Sequence, residues 1–110
     1  MRNFIQPGNA ITVPSPRNII SGEGVLIDRL FGVAGADAAT GHDLVLHCEG
    51  VYELPKATSQ VFTLGSRVYW DAAERECTTT SEANFLIGVC VEAAGSAASS
   101  LRVRLTAVLN

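Results

Sequence analysis

Residues 100–109 read SLRVRLTAVL. Leu101, Val103, Leu105, Ala107 and Leu109 fall at every second position, with Ser100, Arg102, Arg104 and Thr106 between them. Side chains alternate faces along a strand, so this stretch has one apolar and one polar face. Wound as a helix, the same residues would scatter around the axis. The chain therefore ends in a half-buried strand.

Working upstream, the period of two recurs. Phe85, Ile87, Val89 and Val91 share a face, and Leu86, Gly88 and Cys90 make the opposite face apolar as well, which predicts a central strand. A small-residue loop, AAGSAASS, joins it to the last strand. Val68 and Trp70 face one way, Arg67 and Tyr69 the other, and the turn from Asp71 to Glu76 leads back into Cys77 to Thr80. Leu44, Leu46 and Cys48 alternate with Val45, His47 and Glu49 until Gly50 breaks the run at a bulge or bend. Val25 with Ile27, Leu30 to Ala34, and Ile11 to Val13 give three further short strands, the last an edge. The best helical stretch, Lys56 to Phe62, is short. Short strands separated by frequent turns predict an all-β fold, a small β-sandwich or β-barrel-like domain with an extended N-terminal arm. Residues 1–20 form the arm and edge strand, and residues 21–110 the β domain, in a single domain overall. Strands are expected at about Leu44–Glu49, Arg67–Asp71, Phe85–Glu92 and Leu101–Val108, with Val68, Trp70, Phe85, Ile87, Val89, Val103 and Leu105 inward.

The 110 residues suit one domain. With 47% hydrophobic and 17% charged residues, the composition is globular rather than disordered. The formal net charge is -3, Lys56 is the sole lysine, and the densest basic spot is Arg102 with Arg104. Nucleic-acid binding needs clustered cations against phosphates, so the balance predicts no nucleic-acid partner. MRNFIQPGNA at the start lacks the apolar stretch of a signal peptide, and no run approaches the roughly 20 apolar residues of a membrane helix, so no membrane partner is expected. Cys48, Cys77 and Cys90 are odd in number and widely spaced, which predicts free thiols in a reducing compartment. All three are expected to be small buried hydrophobes, Cys90 packing beside Leu86 and Gly88; serine at Cys77 is expected to be nearly neutral if that strand is exposed.

Motifs of catalysis and cofactor binding find no footing. A P-loop needs glycines leading into Lys and Ser/Thr at a helix start, but Lys56 follows Pro55 with no such loop before it. Gly22, Gly24, Gly32 and Gly35 lie between β-like runs and read as turns. On a strand His47 and Asp43 share a face while His42 points away, leaving at most two ligands where zinc takes three or four. His47 and Cys48 are neighbours on opposite faces and cannot act as base and nucleophile together. Glu74 and Glu76 sit in a hairpin loop as solvated residues. Catalytic, cofactor-binding and metal residues are accordingly none, and no cofactor or small-molecule substrate is expected. Trp70 reads as core, and Arg67, Arg102 and Arg104 point outward, where arginine serves solubility or an interface.

Several stretches together carry a resemblance: NFIQPGNAITV, SGEGVLIDRLFGVAGADAATG, GVYELPKA, LGSRVYWD, TTTSEANFLIGVCVEAA and LRVRL, in order over nearly the whole chain. The most specific are GVYELPKA, and RVYWD followed by LIGV. The sequence resembles the phage and prophage capsid cement, or head decoration, proteins, some of which have carried a predicted-recombinase label. The missing nucleotide loop and basic surface speak against that label here. The resemblance implies a non-enzymatic β-rich subunit on the outside of an assembled shell of major capsid protein, a homo-oligomer, often a trimer, in the virion and in the host cytoplasm before assembly. Another virion post, at the head–tail junction or tail, and a small prophage enzyme are the alternatives.

Five residues are candidates for partner contact. Phe4, Ile5 and Gln6 stand near the start, ahead of Pro7-Gly8 and outside the alternating body, and Arg102 and Arg104 face outward on the last strand. Phe4 and Ile5 either meet a partner or cover the domain's own core.

Overall fold

The computed structural model describes residues 10–28 and 30–105. Among the described residues nine strands make up the regular structure: β1 (Ala10–Pro14), β2 (Gly24–Ile27), β3 (Leu30–Ala34), β4 (Asp43–His47), β5 (Gly50–Pro55), β6 (Arg67–Asp71), β7 (Glu76–Thr78), β8 (Phe85–Cys90) and β9 (Ser100–Leu105). They form two antiparallel sheets, a four-stranded one in the order β1-β4-β3-β2 and a five-stranded one in the order β5-β9-β8-β6-β7. The all-β expectation holds. The last strand stops at Leu105 in the described residues, and its expected continuation through Val108 lies outside them.

The five-stranded sheet closes on itself at one end. Its two edges, β5 and β7, meet where Lys56 bridges Cys77 in parallel and the Ala57 N–H donates to the Cys77 carbonyl at 2.8 Å. Closure satisfies edge groups that would otherwise template aggregation. Inside lie Leu54, Val68, Trp70, Cys77, Ile87, Cys90, Leu101, Val103 and Leu105, with Phe62 as a plug. Phe31 and Val33 of β3 join this cluster from the other sheet, and Phe31 tilts against Trp70 with ring centroids 5.1 Å apart. Such an aromatic pair adds roughly 0.5–1.5 kcal/mol beyond the area it buries.

A second core sits on the opposite face of the four-stranded sheet. Val25, Ala34, Leu44 and Leu46 pack there with Ile19 and Ala38. The last two come from connecting segments stitched by an isolated Ile19–Ala38 bridge, by Asn18 Oδ1 accepting from the Thr40 N–H at 3.0 Å, and by the Arg17–Glu23 ion pair at 2.7 Å. Of the N-terminal segment, residues 10–14 are the edge strand β1, paired to β4 from Ala10↔His47 to Pro14↔Asp43.

Four local features correct or extend the expectations. Lys56 to Phe62 is no helix but an irregular stretch laid along residues 94–99, with Phe62 and Ala94 exchanging backbone hydrogen bonds at 2.9 Å. Strand β5, hidden in the sequence behind Gly50, begins at that glycine: its φ of +112° suits only Gly, and it turns the chain from one sheet into the other. Cys77 is fully buried, because β7 is pinned between β6 and the end of β5. Val89, expected inward, is half-buried on the outer face. The cause is a β-bulge: Val68 pairs with Gly88 and Tyr69 with Leu86, so Ile87 is an extra residue. Ile87 and Gly88 are both buried, and the alternation beyond them puts Cys90 inside.

Candidate interaction surface

The cross-strand registers place four residues in one row on the outer face of the five-stranded sheet. Val51 on β5 lies opposite Arg104 on β9, Arg104 opposite Val89 on β8, and Val89 opposite Arg67 on β6. Val51 is 54% exposed, both arginines are exposed and Val89 is half-buried. Beside this row Tyr69 and Leu86, a cross-strand pair, are half-buried on the same face. On the other side Arg102 Nη1 reaches Glu92 Oε2 at 3.3 Å, and the Ser100 hydroxyl donates to Glu53 Oε2 at 3.2 Å. Exposed pairs of this kind add little stability. The Glu92 contact gives Arg102 a carboxylate neighbour.

The two arginines singled out from sequence thus share a face but differ in state. Arg102 has a carboxylate neighbour; Arg104 has none within salt-bridge distance among the described residues, and neither has Arg67. Phe4, Ile5 and Gln6 lie outside the described residues. Sequence reasoning missed Val51 and Val89. Val51 hides in a run that reads as a strand break, and only the bulge turns Val89 outward.

The thiols are placed for packing. Burial, with Glu76 and Cys90 adding to it, pushes the Cys77 thiol up to about 12. Burial and the adjacent Glu49 also push Cys48 upward. A reactive cysteine needs the opposite, a stabilised thiolate. Cys90 is buried and points its Sγ at the Glu92 carbonyl, 2.9 Å away. His42 and Asp43 are exposed and His47 half-buried, and no group of three or more His, Cys, Asp or Glu among the described residues could hold a metal.

Among the described residues, two open depressions are formed. One, about 220 Å³, is lined by Glu53, Glu92, Arg102 and the 93–95 backbone. The other, about 120 Å³, lies between the sheets beside Arg17, Trp70 and Arg75. Both are small against the roughly 300–1,000 Å³ of small-molecule sites.

A family model described as phage cement protein matches residues 5–105. The chain belongs to the phage cement protein family. No curated protein and no solved structure matches it. As a phage cement protein it is a structural, capsid-associated component of the virion. For such a protein the relevant feature is a surface rather than a pocket, and the mixed Val, Arg and Tyr face has the composition that interfaces favour.

Proposed function

We propose that this cement protein binds the outside of the assembled capsid shell and stabilises it without chemistry. The carrying observation is the family match over residues 5–105, joined to a closed β body with an outward arginine-bearing sheet face. A subunit that binds the assembled shell and not its dissociated parts lowers the shell's free energy by mass action, about 2.7 kcal/mol per site at 100 times the dissociation constant. Many sites on one particle multiply that. Phe4, Ile5 and Gln6, together with Arg102 and Arg104, supply partner contacts, and several copies act together, as a trimer, gaining avidity on a repeating lattice. Before assembly the protein resides in the host cytoplasm.

Co-sedimentation with empty shells of the encoding phage tests the reading. The protein is expected to pellet saturably with shells and to raise the temperature at which they come apart. Pelleting without any gain in shell stability would remove the stabilising role. Deletion of residues 1–6 should weaken shell binding while leaving the melting of the free protein nearly unchanged; unchanged binding would remove the arm contact. Light scattering coupled to size exclusion tests the trimer.

A further inference from the structure

Among the described residues every arginine that sits in a strand lies on one sheet face: Arg67 on β6, and Arg102 and Arg104 on β9. The chain carries a net charge of -3; among the described residues its carboxylates lie in turns and at strand ends, except Glu53, which stands within β5 opposite Arg102. Arg102 is engaged by Glu92 at 3.3 Å, whereas Arg67 and Arg104 flank Val89 from either side with no carboxylate in reach among the described residues. Two strand spacings put their Cα atoms about 10 Å apart. Between and beside them the surface is apolar: Val89, Val51 at 54% exposure, and the half-buried Tyr69 and Leu86. A guanidinium sheds water more readily than an ammonium and matches a carboxylate with two parallel hydrogen bonds.

We infer that the Val51–Arg104–Val89–Arg67 row is the part of this cement protein that meets the shell, and that the shell presents to it a protein surface with two carboxylates about 10 Å apart across an apolar strip. This rests on the shell-binding reading and adds to it the docking face and the chemistry of its counterpart. A polyphosphate is the poorer occupant, because two cations on an acidic chain give little counterion release. Arg104 is thereby the freer residue of the C-terminal pair, while Arg102 has to exchange its exposed Glu92 contact to join it.

The test compares two variants of equal charge. R67Q/R104Q and R75E both take the formal net charge from -3 to -5. Arg75 is exposed in the turn between β6 and β7, at the far end of the strand from Arg67. In co-sedimentation with empty shells, R67Q/R104Q is expected to bind about 10-fold or more weakly, with a shallower salt dependence, and R75E to bind like wild type. Melting of the free proteins and their solution mass are recorded alongside and should not change. Shell binding by R67Q/R104Q at wild-type strength would overturn the inference while leaving shell binding itself intact. Equal weakening by R75E would reduce the effect to net charge and overturn it too. A changed solution mass for R67Q/R104Q with unchanged shell binding would assign the row to a second copy instead. A wild-type protein that fails to pellet removes the shell reading and this one with it.

Discussion

Replacing Gly88 by alanine tests the bulge that shapes both core and surface. Gly88 pairs with Val68 on one side and Leu105 on the other, at the point where the extra residue Ile87 crowds the strand. A Cβ at this position would overlap the Arg104 carbonyl oxygen and come within 2.9 Å of the Arg104 carbonyl carbon and 3.2 Å of the Leu105 Cα. These are backbone atoms of a paired strand, so they cannot swing aside as a side-chain tip would. Overpacking a core commonly costs about 1–3 kcal/mol, and a backbone clash belongs at or above the top of that range. The entropy gained by losing a glycine returns only about 0.4–1 kcal/mol. A net loss of about 2–3 kcal/mol follows, and at about 4–8 °C per kcal/mol in a domain near this size the melting temperature should fall by about 10 °C or more. Gly95 supplies the control, since a methyl group added there would meet nothing within 4 Å and its φ lies outside the left-handed region. G95A should therefore match wild type or slightly exceed it. Thermal unfolding followed by circular dichroism reads both. Should G88A melt within about 2 °C of wild type, the close β8–β9 approach is not what fixes the bulge.

Buried groups supply the remaining predictions. Lys56, 3% exposed, donates from Nζ to the Ala57 and Ala98 carbonyls at 2.9 and 3.2 Å, so an amine-reactive reagent should modify it only as the protein unfolds, as mass spectrometry of the digested protein would show. K56A strands those carbonyls and leaves a cavity, for an expected loss of about 2–4 kcal/mol in denaturant titration. Cys77→Ser places a hydroxyl in a fully buried site and should cost about 1–3 kcal/mol, against the near-neutral outcome that an exposed strand would give. Because the Cys77 thiol is raised from 9.0 to about 12, its protonated form is favoured in the fold. Its contribution is intact below about pH 9 and falls by up to about 1.4 kcal/mol per pH unit above that, where the unfolded chain holds fewer protons; C77A should flatten this alkaline slope. Trp70, the sole tryptophan and 2% exposed, should emit at short wavelength in the fold and shift red on unfolding.

Legibility in the sequence tracks how local each determinant is. Strand β9 is readable because its alternation is uninterrupted and one face is fully buried: Leu101, Val103 and Leu105 are inside, Arg102 and Arg104 outside. Strands β3 and β6 are likewise readable to the residue, each a short β-rich run closed by a turn. Strand β5 is not: Val51 and Glu53 face outward while Tyr52 and Leu54 face inward, so an apolar Val51 on the exposed face breaks the sequence pattern, and Gly50 looks like an ending rather than a beginning. The burial of Cys77 depends on a partner more than 20 positions away, the turn after β5, which no window around Cys77 contains. Of the candidate surface, the outward arginines are legible from period alone. Their neighbours are not, because which residues stand beside them is set by strand order and register.

The bulge in β8 couples the core to the outer face. Phe85, Ile87, Val89 and Val91 would all point inward on a regular strand, and Cys90 outward. One extra residue at Ile87 reverses the phase, so the small Cys90 enters the closed end of the barrel and Val89 moves to the surface. The interior gains a residue that fits beside Val103 and Cys77, where a branched valine would crowd them. The exterior gains an apolar side chain at the one place where it separates Arg67 from Arg104. Without the bulge, continuing the Tyr69↔Leu86 register would set Gly88 opposite Arg67, and the row would lose its central apolar side chain. A single packing device thus sets the composition of the outer row, and Gly88, which itself has no side chain to offer a partner, controls it. The same backbone contact that makes G88A costly to stability therefore also makes it disruptive to the Val51–Arg104–Val89–Arg67 row, whereas R67Q/R104Q alters the row and leaves the fold alone.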